Sequence, residues 1–264
     1  MVSLRTLTTD ASSNGKQISI ALHVDDLMVS SKGQKDLNMF GLYLKRMYPE
    51  TRTTTGTILD YVGITFDFTT ACEVRVTMDK CVDDILSSFG METTKVTPSA
   101  SVLFDVRDAR RATELEDKWF HTYVAKILYL AKRVKPECLT AVAFLSTRVT
   151  MSNIDDLAKL RRRLGYIRHT RTRGIVLRVG RAMTVKAYID AAYGVHQDSG
   201  KSHTGCTIVL GNSGPIFAKS AKQKIVTKSS KEAELVGLTD IAIQAIHIRN
   251  LIIVQGHDLS PAVI

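Results

Sequence analysis

Two adjacent carboxylates stand between two short apolar runs in residues 18–31, ISIALHVDDLMVSS. This pattern predicts two strands joined at Asp25 and Asp26. Neighbouring aspartates repel each other, and burial of either one without a partner costs several kcal/mol. A divalent cation such as Mg²⁺ removes that penalty, because it prefers oxygen ligands and its charge offsets theirs. The pattern therefore predicts either a metal-binding hairpin or an ordinary turn.

The chain carries an excess of positive charge on an otherwise globular composition. Its 264 residues are 44% hydrophobic, which allows two domains or one large one. Thirty-six Lys and Arg residues against 26 Asp and Glu residues give a net charge of +10. Such an excess favours polyanionic partners, nucleic acid first and an anionic membrane surface second.

Compartment and membrane signals point to an intracellular chain. The four cysteines are scattered without the spacing of a zinc site or a disulfide framework. Residues 1–16 are polar and lack the apolar core of a signal peptide, and no apolar run approaches the roughly 18 residues of a spanning helix. We expect a cytoplasmic or nuclear protein that is neither secreted nor inserted into a membrane.

Hydrophobic periodicity predicts an α+β chain. Before a polar linker around Pro98, the pattern predicts helices over 35–47 and 79–89 and strands over 59–68 and 73–78. After the linker, helices are predicted over 123–132, from Pro136 onward, and over 154–169. Beyond Gly174, four strands of a meander and one long helix are predicted, over 175–178, 184–189, 204–210, 216–220 and 231–254.

A second pair of carboxylates is predicted from the last strands and helix. Asp190 ends an apolar strand, and Glu234 opens the series Glu234, Leu238, Ile241, Ala245, Ile248 and Ile252, which has helical spacing. Glu232 stands three residues after Ser229 and has a capping role. Glu234 is therefore expected to point at the end of the Asp190 strand. The alternative is a glutamate at the edge of the core that reaches water or a basic side chain.

One helix is unusually basic. The 154–169 segment presents an apolar stripe on one side and basic residues on much of the remainder, namely Lys159, Arg161, Arg162, Arg163 and Arg168. These residues are candidates for nucleic-acid contact. A solvated helix face is the alternative.

In their order and spacing, these segments resemble the polymerase–RNase H region of copia-type retrotransposon polyproteins. His-Val-Asp-Asp at 23–26 is similar to the Tyr-Val-Asp-Asp hairpin of their reverse transcriptases. The run LDYVGI at 59–64 looks like the family's Leu-Gly-Ile strand. The RNase H part is matched by YIDAAYG at 188–194, GKSHTG at 200–205, GPI at 214–216 and KSSKEAEL at 228–235.

The resemblance implies a fold, two metal sites and partners. It implies a partial polymerase palm (17–92) after a polar segment (1–16), then a linker with thumb or connection helices (93–173) and an RNase H-like α/β domain without its last strands and helices (174–264). Asp25 and Asp26 would belong to the polymerase site, with Asp25 the favoured ligand, and Asp190 and Glu234 to the RNase H site. Both would use pairs of Mg²⁺ or Mn²⁺ ions. The partners would be primer–template and RNA–DNA hybrid, with His23 near the primer, in the cytoplasm (virus-like particles) or the nucleus.

Two functions follow from the resemblance. In this sequence we find no match to the earlier palm aspartate, nor to the Tyr-x-Asp-Asn strand that supplies another RNase H carboxylate. We therefore expect each metal site to be incomplete in the isolated chain. The first function is that of the family, RNA-directed DNA polymerisation and hydrolysis of RNA in hybrids. The second is electrostatic binding of nucleic acid without catalysis.

Overall fold

The computed structural model describes residues 5–9, 18–90, 93–178, 180, 183–257, 259 and 261–264. Within these residues the chain is a mixture of helices and antiparallel sheets, as the periodicity predicted. Of the polar 1–16 segment, the structure describes the path of residues 5–9, and the remainder lies outside the described residues.

The first sheet contains the Asp-Asp hairpin. Strands β1 (Arg5–Thr9), β2 (Ile18–His23) and β3 (Asp26–Ser31) pair antiparallel in that order. The predicted hairpin is confirmed, with a two-residue turn between the paired residues His23 and Asp26. Helix α1 (Gln34–Met47) follows and has no buried residue. Helix α1 therefore adds little buried packing to the first sheet.

A second sheet and five helical segments surround the main core. The elements are β4 (Ile58–Tyr61), β5 (Ile64–Asp67), β6 (Glu73–Thr77), α2 (Asp79–Ser87), α3 (Glu114–Ala131), a 3₁₀ turn (Pro136–Cys138), α4 (Leu139–Ser146), α5 (Ile154–His169) and β7 (Ile175–Arg178). Fully buried side chains from α3, α4 and α5 meet at its centre, among them Phe120, Phe144 and Leu160. Burial of this apolar surface is the main stabilising contribution in this part of the molecule.

Helix α3 begins nine residues earlier than the predicted start at Tyr123. The hydroxyl of Thr113 accepts a hydrogen bond from the Glu116 N–H, and the Glu116 carboxylate accepts one from the Thr113 N–H. This reciprocal cap satisfies two N–H groups that a helix start otherwise leaves unpaired. The polar linker predicted around Pro98 therefore ends before Glu114.

Strand β7 corrects the prediction of a four-stranded meander. It pairs antiparallel with β6, with Ile175 opposite Val76, and extends the second sheet instead of the third. Gly174 allows this approach, because a Cβ atom there would lie 2.2 Å from the Val76 carbonyl oxygen. The close contact between two backbones selects the pairing, and hydrophobic periodicity carries no signal for it.

The third sheet carries the long helix. Strands β8 (Val185–His196), β9 (Lys201–Leu210) and β10 (Pro215–Lys222) form a meander, and α6 (Ser230–Val254) packs on β8 and β9. Val263 adds a parallel bridge to Lys186 on the free edge of β8, in a direction that leads towards Asp190. Val263 therefore occupies the outer edge of β8 before Asp190, by hydrogen bonds with the backbone of Val185 and Ala187.

Helix α6 packs through a row of small and branched residues at intervals of four, namely Ala233, Gly237, Ile241 and Ala245. A Cβ atom at Gly237 would lie 3.2 Å from Thr204, so the glycine brings the helix close to β9. By length and composition alone, α6 could cross a membrane. In the structure its buried row attaches it to the sheet.

Candidate functional site

The structure brings Asp190 and Glu234 to the same edge of the third sheet. Asp190 lies on β8 and Glu234 in the first turns of α6, and both side chains are exposed. Glu234 Oε1 accepts a hydrogen bond of 3.2 Å from the N–H of Ala191, the residue directly after Asp190. This hydrogen bond joins the start of α6 to β8 next to Asp190. Asp190 lies inside β8 (Val185–His196) and not at the end of the strand, which corrects the prediction.

The route by which Glu234 reaches this place differs from the prediction. The buried row of α6 starts at Ala233, and Glu234 lies beside that row as an exposed residue. Glu232 has the capping role, in modified form: its N–H donates to Ser229 Oγ at 3.2 Å, and its Oε2 accepts from the Lys228 N–H at 2.6 Å. Glu232 is thus used by the helix cap, and Glu234 is available to a ligand.

A groove of about 290 Å³ opens next to Asp190. Its floor is the face of the third sheet opposite α6, and the start of α4 forms a wall. Its lining residues are Pro136, Leu139, Thr140, Tyr188, Ile189, Asp190, Gly205, Cys206, Thr207, Ala218, Lys219 and Ser220. The lining combines one carboxylate, one amine and several hydroxyl groups.

A chain of hydrogen bonds that no sequence pattern predicted runs from this groove into the interior. Ser220 Oγ lies 2.7 Å from His203 Nε2, and His203 Nδ1 lies 3.0 Å from His196 Nε2. The ring of Phe104 packs against both imidazoles, which are almost fully buried. Burial lowers the pKa of His196 and of His203 to about 4, since a charged imidazole loses its hydration there. Both rings are therefore neutral at neutral pH.

The Asp-Asp hairpin has a different character. Asp25 and Asp26 are both exposed at the hairpin tip, so the burial penalty invoked from the sequence does not arise. Val24 adopts a φ of 55°, a left-handed conformation that β-branched residues avoid. The Tyr61 hydroxyl donates to the Ala21 carbonyl at 3.1 Å, and burial together with the charge of Asp26 raises the pKa of Tyr61.

Neither carboxylate pair is part of a larger cluster of metal-ligating side chains among the described residues. Within the described ranges, no three His, Cys, Asp or Glu side chains come together as a metal site. Mg²⁺ is commonly held by one or two carboxylates together with waters and substrate phosphates. The exposed oxygens of Asp190 and Glu234 fit that donor set, as do those of Asp25 and Asp26.

The basic helix α5 is mostly turned inward. Arg163 is 1% exposed and lies against Cys138, which corrects its prediction as a nucleic-acid contact. Lys159 forms an ion pair of 2.9 Å with Asp155. These side chains take part in internal contacts, so they leave a smaller basic surface than the helical pattern predicted.

The other predicted contacts differ in exposure. Arg162 donates to Thr97 Oγ1 at 2.7 Å, Arg168 and His23 are half-buried, and Arg161 is exposed above the ring of Trp119. Of the predicted basic residues on α5, Arg161 is the one that the structure leaves exposed.

Comparison with known proteins identifies relatives among transposons. The chain is 31% identical over 178 residues to a retrovirus-related Pol polyprotein from transposon RE2 of Arabidopsis thaliana, covering 67% of the chain and 12% of that protein. It is 32% identical over 152 residues to the corresponding polyprotein from transposon RE1, covering 57% of the chain and 10% of that protein.

A yeast relative is matched over most of its length. The chain is 23% identical over 233 residues to a putative transposon Ty5-1 protein of Saccharomyces cerevisiae, covering 86% of the chain and 73% of that protein. No family model and no solved structure matches the chain.

The two Arabidopsis polyproteins are far longer than this chain, which spans about a tenth of their length. The order of the motifs and these relatives agree. The chain belongs to the retrovirus-related Pol polyproteins of copia-type retrotransposons, and it corresponds to a part of one.

Proposed function

We propose that the chain is part of the reverse transcriptase–RNase H region, and that it binds RNA–DNA hybrid at the edge formed by β8 and α6. The observation that carries this proposal is the hydrogen bond from the Ala191 N–H to Glu234 Oε1, which holds Glu234 beside Asp190. Residues 43 positions apart in the sequence are brought together there, and no structural need of the helix cap explains Glu234.

In this proposal Asp190 and Glu234 bind Mg²⁺ next to the RNA strand. When bound, the metal activates a water molecule and neutralises charge on the scissile phosphate. The Ala191 N–H orients the Glu234 carboxylate by occupying Oε1, which leaves Oε2 for the ion. Asp190 lines the adjoining groove, so a carboxylate lies where a nucleic-acid strand would enter.

The Asp25–Asp26 hairpin is proposed as the polymerase counterpart, with Asp25 as the main ligand. Its support is the exposed tip and the left-handed backbone of Val24, because strained residues cluster at functional sites. His23 pairs with Asp26 across the hairpin and would position the primer end. The chain's own contribution is thus a fixed turn that presents two carboxylates.

A second candidate function is binding of nucleic acid without catalysis. It is favoured by the absence, among the described residues, of a third metal-ligating side chain beside either pair. The net charge of +10 supplies attraction to phosphate in both candidates. Binding by charge alone depends steeply on salt and shows no requirement for Asp190.

Hybrid binding and cleavage separate the two functions. We expect fluorescence anisotropy with a labelled RNA–DNA duplex to show tighter binding with Mg²⁺ than with EDTA. Asp190→Asn and Glu234→Gln should each reduce the Mg²⁺-dependent part about tenfold or more, since even groups that only orient a ligand contribute that much. Asp240→Asn, an exposed change on the same helix, is the matched control and should bind as the wild type does.

Cleavage of the RNA strand that is lost in Asp190→Asn would establish catalysis. Salt-sensitive binding that is equal in Mg²⁺ and in EDTA, and equal in Asp190→Asn, would contradict the metal site and leave the electrostatic function.

A further inference from the structure

Gly205 in the middle of β9 has no structural reason to be glycine. A Cβ atom at this position would meet nothing within 4 Å, and its φ is not in the left-handed region. Glycine inside a strand is unfavourable relative to alanine, because it loses more backbone freedom and contributes no packing. Such a glycine often marks a place where a ligand backbone approaches closely.

The open space over Gly205 lies between two polar side chains of the groove. In the sheet register, Asp190 of β8 and Ser220 of β10 are both opposite Gly205, so the three residues form one row across three strands. All three line the groove. Since adjacent strands are about 4.8 Å apart, a side chain at position 205 would fill the middle of a channel about 10 Å wide. The glycine keeps the floor of the groove flat.

The hydroxyl of Ser220 is oriented by buried partners. Ser220 Oγ donates to Thr140 Oγ1 at a long 3.3 Å, so the His203 Nε2–H donates to Ser220 Oγ. His203 Nδ1 then accepts from the His196 Nε2–H, and both rings are held by Phe104. This order of donors leaves the Ser220 proton directed at the groove wall, where a phosphate oxygen would be a stronger acceptor than Thr140.

The polar groups that line the groove indicate which class of ligand it can bind. The hydroxyl groups of Thr140, Thr207 and Ser220 are typical of protein contacts to phosphate and sugar. A volume of about 290 Å³ is at the lower end of the range of ligand pockets, about 300–1,000 Å³, and suits one backbone unit. Asp190 is at the other end of the row, on the edge strand where the metal site is proposed.

We propose that a nucleic-acid sugar–phosphate backbone crosses the sheet over Gly205, with Ser220 donating a hydrogen bond to a phosphate oxygen. This inference rests on the proposed function, because it requires a strand that also reaches Asp190. It adds a binding residue, Ser220, and a positioning residue, His203. It also gives Gly205 a role in admitting the substrate.

Gly205→Ala tests the groove without damaging the fold. The added methyl group meets open space and removes a strand glycine, so the melting temperature should stay the same or rise. Affinity for a labelled RNA–DNA duplex should fall about tenfold. Gly41→Ala is the matched control, because a Cβ at Gly41 on α1 also meets nothing within 4 Å, and this variant should bind as the wild type does.

Ser220→Ala provides a second, independent variant. We expect it to reduce hybrid affinity several-fold while Gly41→Ala has no effect. Wild-type affinity in both Gly205→Ala and Ser220→Ala would overturn the groove proposal. So would a lowered melting temperature in Gly205→Ala, because the glycine would then be structural. If these variants bind normally while Asp190→Asn loses the Mg²⁺ effect, the proposed function holds and the groove alone is refuted.

Discussion

The two carboxylate pairs of this chain are built in opposite ways. Asp25 and Asp26 are neighbours in sequence, and a two-residue turn in a sparsely packed sheet presents them to solvent. Asp190 and Glu234 are far apart in sequence, and they meet because α6 packs on β8. The first pair therefore depends on local backbone geometry, whereas the second depends on the tertiary core beneath the helix.

Because of this difference, different substitutions should disrupt the two carboxylate pairs. A change in the core under α6 should move Glu234 without affecting the hairpin. A change in the turn should affect the hairpin without affecting Glu234. Hydrogen exchange resolved along the chain can measure both regions in one sample.

The largest expected effect comes from Ile241→Ala. Ile241 is 0% exposed and belongs to the cluster with Val185 and Ile208. Its truncation removes buried methyl groups and leaves a cavity, at a cost of about 2–5 kcal/mol. We expect amide protection to fall in β8 and α6 and the Mg²⁺ effect on hybrid binding to weaken, while residues 18–31 exchange as before.

Ile243→Ala is the matched control for this prediction. Ile243 is 66% exposed on the same helix, so the same change should stay within about 0.5 kcal/mol. Equal losses of amide protection in the hairpin and in α6 of Ile241→Ala would show that the two regions unfold together. The two carboxylate pairs would then not depend on separate parts of the structure.

Acid should destabilise the region of the second pair selectively. Burial lowers the pKa of His196 and of His203 to about 4, from 6.5, with Lys222 adding to the effect on His196 and Asp198 opposing it. Between those values the unfolded chain binds more protons than the folded one. The stability present above pH 6.5 is therefore lost as the pH falls towards 4, at about 1.4 kcal/mol per pH unit for each histidine.

Urea unfolding at several pH values between about 7 and about 5 measures this loss of stability. The interval lies above the usual range of carboxyl pKa values. Exchange at the β2–β3 hairpin serves as the internal reference. His196→Asn should reduce the slope of stability against pH by about half, whatever its effect at neutral pH. If the slope is unchanged in this variant, the burial of His196 is not a cause of the loss of stability in acid.

The smallest expected effect is a gain of stability in the hairpin from Val24→Gly. Val24 is 84% exposed, so it contributes little packing, and its φ of 55° costs a non-glycine residue about 1–2 kcal/mol. Part of that gain is offset by the larger backbone entropy of glycine, which leaves about 0.5–1 kcal/mol. Slower amide exchange in β2 and β3 would be the observed result.

Val29→Gly is the matched control, because it makes the same change inside β3 opposite Ile20. There it should speed exchange, since glycine weakens a strand interior. Faster exchange in Val24→Gly as well would show that the turn is not strained, and would remove this support for the proposed polymerase role of the hairpin.

The parts of the fold that periodicity predicted are the ones with local signals. The Asp-Asp hairpin, helix α5 and the strands β9 and β10 appear close to their predicted ranges, whereas β8 continues to His196, beyond its predicted end at Ile189. Hydrophobic patterns failed where the partner of an element decides its place. The segment 175–178 has the pattern of a strand, but it is the pairing with β6, which Gly174 allows next to Val76, that joins it to the second sheet.

The candidate site divides in the same way. The sequence predicted Glu234 on the buried stripe of α6 and Asp190 at a strand end. In the structure Glu234 lies beside the buried row and Asp190 lies inside β8, and the hydrogen bond from the Ala191 N–H to Glu234 Oε1 joins the helix start to the strand. The burial of Arg163 was not predictable, because a basic side chain in an amphipathic helix is ordinarily solvated. Its position follows from how α5 meets the 3₁₀ turn that carries Cys138.

By itself, the sequence determined most of the helices and strands, the excess of positive charge and the local pair Asp25–Asp26. The tertiary structure alone decided the strand partners, the buried chain from Ser220 to His196, and the groove over Gly205. The physical reason is distance along the chain. His203 and Ser220 come within hydrogen-bonding range when β9 pairs with β10, and Ala191 and Glu234 do so when α6 packs on the sheet, and no local pattern encodes either meeting.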